Sequence, residues 1–102
     1  MVFRSNQEAV AWYRQKAKQH NDMAALMAEV YSLFEAGKAA NAGEVIALWQ
    51  HSAEHDANAQ YWYGLSQIMA HDYPTAAAYL QKAAKQQHAQ AMSALGRLYL
   101  FG

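Results

Sequence analysis

The sequence has no cysteine, a single proline and few β-branched residues. Without cysteine there are no disulfides and no thiolate metal ligands, although the compartment stays open. One proline leaves long stretches free to be helical, and the scarcity of Val, Ile and Thr argues against sheet. An excess of either charge is missing too: eight basic and eight acidic residues give a formal net charge of zero. No basic field exists for a nucleic acid or an anionic membrane surface. No run is apolar enough to span a bilayer, so membrane insertion is not expected. The opening MVFRSNQEAV resembles no signal peptide. A cytoplasmic location is the default expectation, with periplasmic or secreted the alternative where a leader has been removed.

What is present is an alanine-rich chain of 102 residues, 54% hydrophobic. That length predicts one small domain burying roughly 60–65% of its extended-chain surface. Apolar residues recur at i, i+3, i+4 and i+7 in six successive stretches, which predicts six helices. Ser5 and Glu8 have capping-box spacing, so the first helix starts near Asn6. It carries Ala9, Trp12, Tyr13, Lys16 and Ala17, with the stem of Lys16 lying across the seam. His20, Asn21 and Asp22 read as a turn ending in an N-cap. The second helix carries Met23, Leu26, Met27, Val30, Tyr31 and Phe34, and Gly37 stops it. After a linker over 38–43, the third helix places Val45, Leu48, Trp49, Ser52 and Ala53 on one face. Asp56 caps the fourth, which carries Tyr61, Gly64, Leu65, Ile68 and Met69. Asp72 and Pro74 stop the fourth and start the fifth, with Ala76, Tyr79, Leu80, Ala83 and Ala84. The sixth shows Ala91, Leu95, Leu98 and Tyr99.

The chain also repeats itself. Aligning the second helix of each pair on its small residue brings together Ala28, Gly64 and Gly96, spaced by 36 and 32. DANAQYWYG from Asp56 then matches HAQAMSALG from His88 in its alternate alanines and its glycine. The first helices carry a leading aromatic: Trp12 or Tyr13, Trp49 and Tyr79. The expected units are 6–37, 41–72 and 74–102.

These residues resemble the Sel-one-like repeat family, a relative of the tetratricopeptide repeats. Its repeat reads approximately A-x-x-W-Y-x-K-A-A-x-x-G-H-A-x-A-x-x-x-L-G-x-x-Y-x-x-G. In the third unit Tyr79 stands at the Trp position, and Lys82, Ala83, Ala84, His88, Ala89, Ala91, Leu95, Gly96, Tyr99 and Gly102 follow in step. The second keeps Trp49, Ala57, Ala59 and Gly64, with Gln67 where Tyr is usual. The first keeps Trp12, Tyr13, His20 and Tyr31, with Ala28 for Gly. The resemblance covers about nine-tenths of the chain and implies an all-α, right-handed solenoid of three helix-turn-helix hairpins. It implies scaffold or adaptor work, often in bacterial envelope, stress or host-interaction pathways, with no shared active site. The third unit has no polar capping helix, so the expectation is a longer array or an open end covered by a second copy or a partner.

Candidate chemistry is sparse. His51-Ser52-Ala53-Glu54-His55 spells H-x-x-E-H, and histidines at i and i+4 share a helix face suited to a zinc pair. Against a metal or hydrolytic reading, Ser52 and Ala53 lie on the packing stripe, which turns the histidines outward, and the motif ends in a turn. His20 and His88 are expected to order turns. No nucleophile elbow, P-loop or dinucleotide fingerprint occurs, so no enzyme and no cofactor is expected.

Tyr61, Trp62 and Tyr63 sweep roughly 200° of helix, so one stripe cannot bury all three. Trp62 is left over: it either packs on a neighbouring hairpin or serves as an exposed anchor for a partner. Tyr73, in the loop before Pro74, is a second anchor candidate. The first helices of solenoid repeats usually line a groove, and the polar candidates there are Arg14, Gln15, Lys18, Gln50, His51, Glu54, Gln81 and Lys85. Such a mixed, near-neutral surface suits a peptide or protein better than a polyanion. The plainer alternative is that these are solvated helix faces.

Overall fold

The computed structural model describes residues 2–19 and 21–101, the last of these for its backbone alone. The described residues form six helices and no strand: α1 (Asn6–Ala17), α2 (Asp22–Glu35), α3 (Ala42–Ser52), α4 (Ala57–Met69), α5 (Tyr73–Lys85) and α6 (Ala89–Phe101). The chain divides into two compact units, Met1–Val45 and Ile46–Gly102, with the division inside α3.

The helices start where short polar side chains meet their first free amides. Ser5 Oγ accepts from Glu8 N–H, Asn21 Oδ1 from Ala24, Asn41 Oδ1 from Glu44, Asp56 Oδ1 from Asn58 and Asp72 Oδ1 from Thr75. Each such cap contributes about 1 kcal/mol. Asn21, not Asp22, caps α2, because its side chain is the one standing before the first helical residue. Glu44 Oε2 accepts the Ala40 N–H at 2.8 Å, giving α3 a reciprocal box.

Three helices end in the same way. Gly37, His71 and Gln87 adopt φ of 71°, 61° and 65°. The residue after each reaches back to a carbonyl: Lys38 N–H to Leu33, Asp72 to Gln67 and His88 to Ala83. This left-handed stop suits glycine, and the two non-glycine examples carry backbone strain.

In the first unit α1 packs on α2. Phe3 lies over Trp12 and Tyr13, with ring centroids 5.8 and 5.6 Å away. Tyr13 stacks on Tyr31 at 5.7 Å, and Tyr31 meets Phe34 edge-on. Lys16 folds back along its own helix, its Nζ 5.3 Å from the Trp12 ring centroid.

In the second unit α5 packs on α4, and α6 on α5. Tyr61, Leu65 and Leu80 are buried, together with Ala76, Ala83, Ala91 and Ala94. Small residues set how closely the helices approach. A Cβ on Gly64 would stand 2.9 Å from Leu80 Cγ and 3.4 Å from the Ala76 carbonyl, so α5 lies directly over this glycine. Tyr63 and Tyr79 meet edge-on at 4.7 Å beside it.

The packing stripes are narrower than the spacing predicts. On α3 Trp49 is buried, as is Ala53 just beyond its end, while Leu48 and Ser52 face solvent. Met69 and Tyr99 likewise lie outside the core, at 53% and 64% exposure. A residue about 100° from the centre of a stripe is buried only where a neighbour is wide enough to cover it.

Candidate functional site

The structure places each polar candidate separately. Arg14 is exposed on the last turn of α1 and Lys18 is exposed at its C-cap. Gln50 and His51 are exposed on the last turn of α3, and Glu54 is exposed in the turn beyond it. Gln81 and Lys85 lie one turn apart on α5, and both are exposed. Gln81 is partly committed, since its Nε2 donates to the Tyr99 hydroxyl of α6.

Three expectations change. His51 and His55 do not share a helix face, because α3 ends at Ser52 and the amides of His55 and Asp56 both turn back to the Ser52 carbonyl. The zinc-pair geometry has no helix to rest on, and among the described residues no three His, Cys, Asp or Glu side chains are grouped to hold a metal. Trp62 is not a fully exposed anchor. It is half-buried against its own hairpin partner, stacked on Trp49 at 6.4 Å and touching Tyr61 at 4.7 Å. Tyr73 opens α5 instead of lying in a loop, and its hydroxyl is 3.0 Å from His71 Nδ1. It keeps 41% exposure. His20 lies outside the described residues.

His88 does order its turn, and does more. Its Nδ1 accepts the Ala91 N–H at 3.1 Å and so caps α6. An acceptor at Nδ1 makes the ring neutral, with its proton on Nε2, which donates to Asn58 Oδ1 of α4 at 2.8 Å. The ring also lies 4.8 Å from the Tyr61 ring. Burial pushes the His88 pKa below its ordinary 6.5, outweighing the upward pulls of its own backbone and the Asp56 carboxylate. Burial alone pushes the Tyr61 phenol up to about 12. For Tyr63, burial also raises the pKa, followed by the charges of Tyr79 and Asp72.

Several contributors escaped the sequence reading. Buried Gln60 donates to the Ala53 carbonyl at 2.8 Å and accepts from Gln86 Nε2 at 2.9 Å, tying the end of α3 to the end of α5 through α4. In the first unit a cleft of about 350 Å³ opens between α1 and α2, lined by Trp12, Tyr13, Lys16, Met23 and Met27 with Asn21 and Ala24. The usable signal was the pairing of Met23 and Met27, four residues apart, opposite an aromatic pair. Methionines fill irregular space and adapt to what enters it. The cleft can take one apolar side chain, with Lys16 available to an acidic neighbour.

No family model matches the chain, and the comparisons with curated proteins and with solved structures found no match either. The Sel-one-like resemblance therefore rests on the residues that carry it. No helix among the described residues is long and apolar enough to cross a membrane.

Proposed function

We propose that this chain is a non-catalytic protein-binding module that takes an extended or helical segment of another protein. The observation that carries this reading is the open cleft of the first unit, with aromatic and thioether walls and a lysine beside it. Arg14 and Lys18 flank the same helix and add to its basic end. The segment that fits has a large apolar residue with acidic neighbours. The alternation of small and large residues along the hairpins supports scaffold work of the Sel-one-like kind, for which the resemblance implies a right-handed repeat array. Gln50, His51, Glu54, Tyr73, Gln81 and Lys85 supply further polar contact points on the second unit.

Selection of displayed peptides against the intact chain tests the reading. The expected outcome is enrichment of sequences with one bulky apolar position flanked by Asp or Glu. Their binding weakens at least about tenfold in a Lys16→Glu, Lys18→Glu variant, the scale of one or two charge-assisted contacts. Glu54→Lys with Lys85→Glu tests the polar surface of the second unit by itself. Selected peptides indifferent to both variants would defeat the proposal.

A further inference from the structure

The starts of α1 to α5 are capped by hydroxyl, amide or carboxylate oxygens. The hydroxyl and the amides do not titrate, and a carboxyl keeps an acceptor oxygen in either protonation state. The start of α6 differs. Its cap is His88 Nδ1, which accepts the Ala91 N–H at 3.1 Å and stops being an acceptor once it binds a proton. The same residue joins three helices. Its backbone N–H closes α5 on the Ala83 carbonyl at 3.2 Å, and its carbonyl takes the Met92 N–H at 3.0 Å. Its Nε2 reaches Asn58 of α4 at 2.8 Å. Gln87, just before it, holds a left-handed φ of 65°, a strained conformation that persists because both flanking helices are seated.

We propose that His88 is an acid-operated joint: one proton on Nδ1 unseats the first turn of α6 while α4 and α5 stay packed together. With that proton the ring aims an N–H at the Ala91 N–H, and an attraction becomes a repulsion. The cation also stands at the positive end of α6. The Nε2 contact survives, because that nitrogen donates in both states. The ring therefore stays on Asn58, and the helix end is what moves. From α4 the Asp56 carboxylate favours the cation, while the Tyr61 ring, 4.8 Å away, stays neutral with its pKa pushed up to about 12. From the last turn of α5 come Lys82, whose Nζ lies 4.6 Å from the Tyr79 ring centroid, and the exposed Lys85. The first turn of α6 has no acidic residue. Burial holds the closed ring below its ordinary pKa, so the open form takes the proton more readily. The closed joint is fully favoured above the open value and loses that advantage as pH falls through the closed one. The joint lies within the second unit, so it is independent of the cleft between α1 and α2.

Amide hydrogen exchange of the intact chain between pH 7 and pH 5, with each rate corrected for its intrinsic pH dependence, tests the joint. Protection at Ala91 and Met92 should fall about fivefold, the scale of one lost cap, with the midpoint at which the His88 ring itself titrates by NMR. Leu80 and Ala83 of α5 should keep theirs. His88→Asn retains an acceptor without a titrating group, and should hold Ala91 and Met92 at one level across the range. Protection at Ala91 that stays constant while the His88 ring titrates would overturn the joint, as would the same pH dependence in His88→Asn. An equal loss at Leu80 and Ala83 would also overturn it, since the whole unit would then be unfolding in acid. Should His88→Asn fail to fold, the comparison of ring and amides in the natural chain decides by itself.

Discussion

Gly64 and Gly96 occupy aligned positions, yet substitution should move stability in opposite directions. At Gly64 an added methyl lands on Leu80, which is fully buried and cannot swing away. We expect Gly64→Ala to cost about 1–3 kcal/mol by overpacking, and Leu80→Ala in the same chain to relieve that clash. At Gly96, where the space is open, Gly96→Ala should stabilise dilute protein by up to about 1 kcal/mol through helix propensity. Urea unfolding of these three variants beside the natural chain checks both signs. Gln87 gives a second test. It holds φ of 65°, where the Sel-one-like pattern has glycine. Gln87→Gly should raise the thermal midpoint, since left-handed backbone costs a side-chain-bearing residue about 1–2 kcal/mol and glycine little. The sequence shows the two aligned glycines but not which of them has a neighbour, because that depends on what packs there.

The ends of the helices were the most legible part of the fold. Ser5, Asn41, Asp56 and Asp72 cap as their spacing indicates, because each cap closes over two or three residues. The Gln60–Gln86 tie was not legible, because it joins residues 26 apart that only packing brings together. The site was less legible than the fold for the same reason: Trp62 looked surplus on its own helix until Trp49 of α3 met it. The α6 cap leads to a pH dependence. Because the folded value for His88 lies below 6.5, the unfolded chain takes the proton first. The stability due to the neutral ring is complete above the unfolded value and is lost as pH falls through the folded one. The thermal midpoint should therefore drop between pH 7 and pH 5. His88→Asn, which can still cap, should flatten that slope.

For the whole molecule, charge balance matters more than any one pair. Eight basic against eight acidic residues, with five histidines neutral, leave no net charge near pH 7. Solubility should pass through a minimum there and rise toward lower pH as net positive charge builds up, measured as the saturation concentration in low salt. Among the described residues the thioethers most open to chemistry are that of Met69, at 53% exposure, and, on α6, that of Met92, at 51%. Peroxide reaching Met92 makes a sulfoxide, a polar and chiral group on a face that otherwise offers only hydrocarbon, glycine and a phenol ring. Ageing in air would thus erode this surface and the one around Met69 while the buried leucines and alanines kept the helices intact. A preparation can look fully folded by spectroscopy and yet present a chemically changed α6 surface, until a sulfoxide reductase restores it.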